Sequence, residues 1–197
     1  MRFRGRSARL VVSFALVALI ASSTWADEPP NPAPWALTLY GGVYTDNTLG
    51  GVFSFHLDPK DSYIGVLAVS REIWALTKHI RFEIEGQVGK HFAGQDHWEL
   101  NALLVGRWVT FPWNDYVYTT FAVGEGLSWA TEVPKLEKEL DGPSHQLLNY
   151  MMFELSLSPP RYQEWAFVTR IHHRSGMFGV FGHGSSNIMG AGIKYRF

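Results

Sequence analysis

A period of two constrains this chain more than any other feature. In "HIRFEIEGQVGKH", residues 79–91, one face carries Ile80, Phe82, Ile84 and Val88, and the other carries Arg81, Glu83, Glu85 and Gln87. In "WELNALLVGRWVTF", residues 98–111, Trp98, Leu100, Ala102, Leu104 and Trp108 alternate with Glu99, Asn101 and Arg107. Successive strand side chains point to opposite faces, so a chain patterned this way forms two-faced sheet. No sustained helical period appears after residue 26.

A two-faced sheet can be buried in two ways. A soluble sandwich or lipocalin-like barrel hides the apolar face inside. A membrane barrel turns that face to lipid and keeps the charges in its lumen. Periodicity does not choose between them, but three other features bear on the choice. The chain opens with Arg2, Arg4, Arg6 and Arg9, then the apolar run Leu10 to Ala21, then Thr24-Trp25-Ala26. That is the pattern of a secretory signal peptide cut after Ala26. No later apolar run approaches the roughly 20 residues of a membrane helix. Aromatic residues make up 15% of the chain and cysteine is absent, so an exported product holds together by packing or by the membrane and has no cysteine-type structural zinc. Finally, "GAGIKYRF" sets Ile193, Tyr195 and Phe197 against Lys194 and Arg196. A last strand ending in Phe resembles the recognition signal of bacterial outer-membrane barrels.

The reading is therefore an all-β, eight-stranded antiparallel outer-membrane β-barrel over residues 35–197. It follows a signal peptide (1–26) and the Pro-rich lead-in "DEPPNPAP" (27–34). Expected strands are Trp35–Tyr44, Ser62–Glu72, His79–His91, His97–Phe111, Tyr116–Ser128, Gln146–Ser158, Glu164–Ser175 and Ile188–Phe197. Leu49–His56 is a further apolar stretch. A ninth strand there would break the even count that such barrels keep, so Thr45–Asp61 is an outer loop or a strand extension. The Gly-rich residues 176–187 and the charged residues 131–145 form other outer loops, and residues 112–115 and 159–163 form short inner turns. An interior of this size is filled by side chains and is no pore. Removal of the four arginines takes the formal charge from −1 to −5, which leaves no basic footprint for nucleic acid.

Chemistry concentrates in "RIHHRSG", residues 170–176. Trp165, Phe167, Thr169, Ile171, His173 and Ser175 share one face, which should point to lipid. Arg170, His172 and Arg174 share the other, which should point into the lumen, where Glu83, Glu85 and Glu99 can neutralise it. Serine is a weak nucleophile until a base takes its proton and a third group orients that base. If the last two strands pair so that residue numbers sum to 362, Asn187 faces Ser175 and Met189 faces His173. His91, His97 and His183 sit in or beside turns, where solvated side chains are expected. No metal or cofactor is expected.

These residues carry a family resemblance. "RIHHRSG", the loop end "GHGSSN" and the closing "GAGIKYRF" resemble the PagL-like lipid A 3-O-deacylases (acyloxyacyl hydrolases) of the outer membrane. "FEIEGQVGKHF", "FPWNDYV" and "FAVGEGLSWATE" extend the likeness over Tyr63 to Phe197. That family places a His and a Ser two apart, an Asn directly after the Ser, and a Glu twelve residues beyond it. The resemblance implies His173 as base, Ser175 as nucleophile and Asn187 in the third position, where this chain lacks the acid. Glu125 and Glu154 are alternative acids, and Gly176, in the place of the family's Asn, offers a backbone N–H as oxyanion donor. It further implies hydrolysis of the ester-linked acyl chain at position 3 of lipid A. The implied partners are lipopolysaccharide and the outer membrane, with a homodimer left open.

Overall fold

The computed structural model describes residues 34–140, 142–177 and 179–197. The expected signal peptide, and the lead-in up to residue 33, lie outside the described residues. Eight strands run in chain order: β1 (Trp35–Thr45), β2 (Pro59–Ala75), β3 (Ile80–Ala93), β4 (Trp98–Trp108), β5 (Tyr118–Ala130), β6 (Leu147–Ser158), β7 (Trp165–Ser175) and β8 (Ser185–Arg196). Each pairs antiparallel with its sequence neighbours, and β1 pairs with β8, closing the barrel. Two short helices, α1 (Leu49–Phe53) and α2 (Lys135–Leu140), sit in the β1–β2 and β5–β6 connections. The apolar stretch 49–56 thus belongs to a loop, as the even strand count requires.

Closure decides which face is which. Leu39, Phe167 and Ile193 stand 64%, 52% and 56% exposed on the outer wall. The charged residues are inside: Arg107, Arg170, Lys194, Glu85 and Glu154 are all nearly inaccessible. An apolar exterior of this extent suits lipid and would drive association in water. The lipocalin-like arrangement, with its apolar face inward, is therefore not the one adopted.

Buried charges persist only if paired and fully hydrogen-bonded, and the lumen meets that condition. The Arg170 guanidinium donates to both Glu85 oxygens at 2.7 and 3.0 Å and to Glu154 Oε2 at 2.7 Å. Glu154 Oε1 also accepts from Arg107 at 2.8 Å and Lys194 at 2.6 Å. Arg107 Nε donates to Glu83 at 2.5 Å. These contacts tie β3, β4, β6, β7 and β8 across the lumen. Two apolar clusters pack among them, Tyr40, Tyr44, Ile64, Val66 and Ile188 in one, and Leu103, Val105, Ala122, Tyr150 and Met152 in the other. Side chains thus occupy the middle of the lumen, as expected for eight strands, while a pocket of about 470 Å³ lined by Glu83, Arg107, Lys194 and Arg196 opens at the short-turn end.

The connections 46–58, 131–146 and 176–184 join the tight β3–β4 turn at one end of the barrel; the other end carries 76–79, 109–117 and 159–164, of which 109–117 is longer than the expected turn at 112–115 because β4 stops at Trp108 and β5 starts at Tyr118. At this long-loop end α2 closes the mouth. Its Glu137 is 1% exposed and accepts from Arg174 at 2.6 Å and Ser186 at 2.8 Å.

Candidate active site

Strand parity puts His173 and Ser175 together. Along β7 the odd-numbered residues face outward and the even-numbered ones inward, so the two side chains leave the same wall at the long-loop end. His172 faces the lumen, where its Nε2 lies 2.9 Å from Glu99 Oε1 and its Nδ1 lies 3.1 Å from the Tyr40 hydroxyl. It is a lumen residue and takes no part in the outer pair.

The β7–β8 register differs from the expected one. Partners sum to 360: His173 faces Asn187, and Ser175 faces Ser185. The expected sum of 362 placed Asn187 opposite Ser175. Strand β8 begins at Ser185, before the expected Ile188, so the hairpin closes one pair sooner. The shift of two keeps every side chain on its predicted face and moves Asn187 directly beside the imidazole.

The geometry around Asn187 fixes a proton. Asn187 Nδ2 donates to the Asn47 backbone carbonyl at 2.6 Å. A carbonyl can only accept, so the amide nitrogen must point that way and Oδ1 the other. Oδ1 lies 2.8 Å from His173 Nδ1, and it too can only accept. Nδ1 therefore carries the hydrogen, and Nε2 is left with the lone pair that a general base needs. An amide in this position can orient an imidazole, though it brings none of a triad acid's charge. Among the described residues the Ser175 hydroxyl has no hydrogen-bond partner. Residues two apart on a strand are about 6.6–7 Å apart along the chain, and no hydrogen bond joins Ser175 to His173 among the described residues.

The alternative acids lie elsewhere. Glu154 is inside the barrel, held by three cations, so it cannot reach His173 through the wall. Glu125 is on the outer face, but Met151 of β6 lies between it and His173. Glu125 instead accepts from Asn149 Nδ2, and Asn149 is the cross-strand partner of Ser175. Sequence reading missed Asn149, although the β6–β7 pairing about the turn at 159–164 would have placed it on the same face. The Gly176 N–H donates to the Gly184 carbonyl at 2.9 Å. The expected oxyanion donor is therefore already engaged within the hairpin loop.

Two further features surround the pair. Helix α1, capped by Thr48 accepting from Gly51 N–H at 3.2 Å, lies against the outside of the barrel. Asn47 at its start holds Asn187, and Phe53 at its end meets Phe153 of β6 edge-on at 4.8 Å. The β1–β2 loop thus crosses β8 and β7. This explains why outward-facing His173 and Asn187 are only 8% and 2% exposed. Below them, away from the loops, runs an apolar groove of about 740 Å³ lined by Gly41, Val43, Tyr63, Thr169, Met189 and Ala191. Its upper edge, Ile171–Met189–Val43, is one pair from the His173–Asn187–Thr45 row.

No protein-family model matches the chain, and no curated protein sequence matches it. Solved structures do. The outer membrane enzyme PagL superposes with a TM-score of 0.58 at 9% identity, covering 82% of this chain and 99% of PagL. Neisserial surface protein A superposes with a TM-score of 0.50 at 10% identity, covering 83% of this chain and 96% of the other. At such identities the likeness establishes the fold, and that fold is the eight-stranded antiparallel barrel of the outer membrane.

Proposed function

We propose that this chain, exported by its N-terminal signal peptide to the outer membrane, is a serine esterase that removes the ester-linked acyl chain at position 3 of lipid A. The observation that carries this reading is the His173–Asn187 hydrogen bond on the outer wall, with Ser175 on the same strand face. It holds the imidazole in the tautomer whose Nε2 can take the serine proton. Ser175 Oγ attacks the ester carbonyl as His173 accepts that proton. His173 returns the proton to the departing sugar hydroxyl. Water then resolves the acyl-enzyme, again with His173 as base. The apolar groove suits a fatty acyl chain lying along the wall. A site on the wall at the long-loop end, taken as extracellular, lets a lipid approach sideways without leaving its leaflet.

The test is release of 3-hydroxy fatty acid from lipid A by purified protein, read by mass spectrometry. Loss of release in both Ser175→Ala and His173→Ala is expected, and full activity in both sinks the proposal. A second reading, a structural barrel with an incomplete site, is favoured by Asn187 standing where an acid would stand. It predicts no release from the unaltered chain.

A further inference from the structure

Inside the lumen at the long-loop end, His91, His97 and Glu99 bring one nitrogen, one nitrogen and one carboxylate oxygen within 4.8 Å of one another. The expectation that His91 and His97 are solvated is wrong: each is only 4% exposed, whereas His183 is exposed as expected. Both follow from local structure. His91 continues the inward parity of Glu83, Glu85 and Gln87 along β3, and the tight turn at 94–97 folds His97 back over it. The two rings stack at 4.0 Å, 16° from parallel.

Each donor is set up differently. Glu99 is 0% exposed. Its Oε1 accepts from Ser128 Oγ at 2.9 Å and lies 2.9 Å from His172 Nε2, while Oε2 lies 3.0 Å from His91 Nε2. The carboxylate is thus locked in orientation from one side, the arrangement that supports metal-binding groups. His97 has the opposite character, because its Nε2 is buried and without any hydrogen-bond partner among the described residues. A buried ring nitrogen left unsatisfied is costly and calls for a ligand.

We propose that His91, His97 and Glu99 form a binding site for a divalent transition-metal ion of the zinc class. Two histidines and one carboxylate are a donor set that zinc accepts, with one position left for water. Ligands about 2.1 Å from a tetrahedral ion stand roughly 3.4 Å apart. Binding therefore draws the present donors together by about 1.4 Å at most, within reach of side-chain rotation. The ion clamps the β3–β4 turn to β4 and, through Glu99 and His172, to β7. It supplies a cross-link in a chain that has no cysteine. The site lies on the opposite side of the wall from Ser175, so it stands independently of the esterase reading.

The experiment uses the untagged full-length barrel in detergent, stripped with chelator and titrated with Zn²⁺, and with Co²⁺ as a spectroscopic probe. One equivalent should bind, with a cobalt absorption intense enough for four or five ligands. His97→Ala should weaken binding by about a hundredfold or more. That variant removes no hydrogen bond, so the fold should survive, as checked by heat-modifiable gel mobility. Ser175→Ala and His183→Ala should bind as the unaltered chain does. Absence of stoichiometric binding, or equal affinity in His97→Ala, overturns the proposal.

Discussion

Replacing Asn187 with alanine isolates what an uncharged third residue contributes. The substitution deletes the 2.8 Å bond to His173 Nδ1 and the 2.6 Å bond to the Asn47 carbonyl. The first loss frees the imidazole to rotate and to place its proton on Nε2, where it blocks base catalysis. No charge is removed, so the collapse of about 10⁴ that follows neutralisation of a triad aspartate is not expected. A neutral buried hydrogen bond whose partner is left unsatisfied costs about 1–3 kcal/mol. At about 1.4 kcal/mol per decade, that predicts a fall of roughly five- to a hundredfold in kcat with KM little changed. The assay is initial-rate release of 3-hydroxy fatty acid from lipid A in detergent micelles, over a substrate series that separates kcat from KM. An unchanged kcat would refute the orienting role. A fall as deep as that of Ser175→Ala would refute the argument that Asn187 acts through geometry alone.

Arg170→Met leaves Glu85 and Glu154 without their shared cation in an inaccessible lumen. It should lower the unfolding free energy by about 3–5 kcal/mol in urea titrations, partly recovered when Glu85→Gln is added. Gly41→Leu fills the apolar groove, since a Cβ there meets nothing nearer than 3.7 Å. The barrel should fold normally while kcat/KM falls at least about tenfold, a side chain's worth of lost acyl burial. Phe53→Ala removes the ring contact that anchors α1 to β6. Peptide-level mass spectrometry after diethylpyrocarbonate treatment should then find His173 modified faster than in the unaltered chain.

What could be read from sequence and what could not divide along a physical line. The inward and outward faces of β3, β4, β7 and β8 follow from residue parity, and parity is enforced by burial on one side. Arg170, Glu85 and His172 accordingly stand in the lumen, and His173 and Ser175 on the wall. His91 obeys the same parity and lies inside, because the strand continues to Ala93 and the adjoining turn folds over the ring instead of exposing it. Register along β7–β8 was off by two because parity cannot detect an even shift. Hairpin length is set by the loop itself, which turns through Met177, Gly179 and Gly182 at positive φ before β8 begins. The course of α1 was hidden for a related reason. Five helical residues carry too little periodicity to announce a helix, and nothing in "LGGVF" says that it crosses two strands to reach Phe153.

The barrel itself does not select a function, since the same architecture serves an enzyme and surface proteins alike. What distinguishes this chain is where it tolerates polarity. Outward positions elsewhere on the wall carry Leu39, Leu100, Leu104, Phe167 and Ile193. Near the long-loop end of β5 to β8 they carry Glu125, Asn149, Ser175, His173 and Asn187. Polar groups facing lipid are costly unless satisfied, and four of these five satisfy one another or the α1 loop. A structural wall would do better with leucine at each position. The fifth, Ser175, has a hydroxyl with no hydrogen-bond partner among the described residues and sits beside a histidine whose tautomer is fixed by its neighbours. On the proposed esterase reading that hydroxyl meets an ester, and the apolar groove at the next outward pair below takes the hydrocarbon chain joined to it.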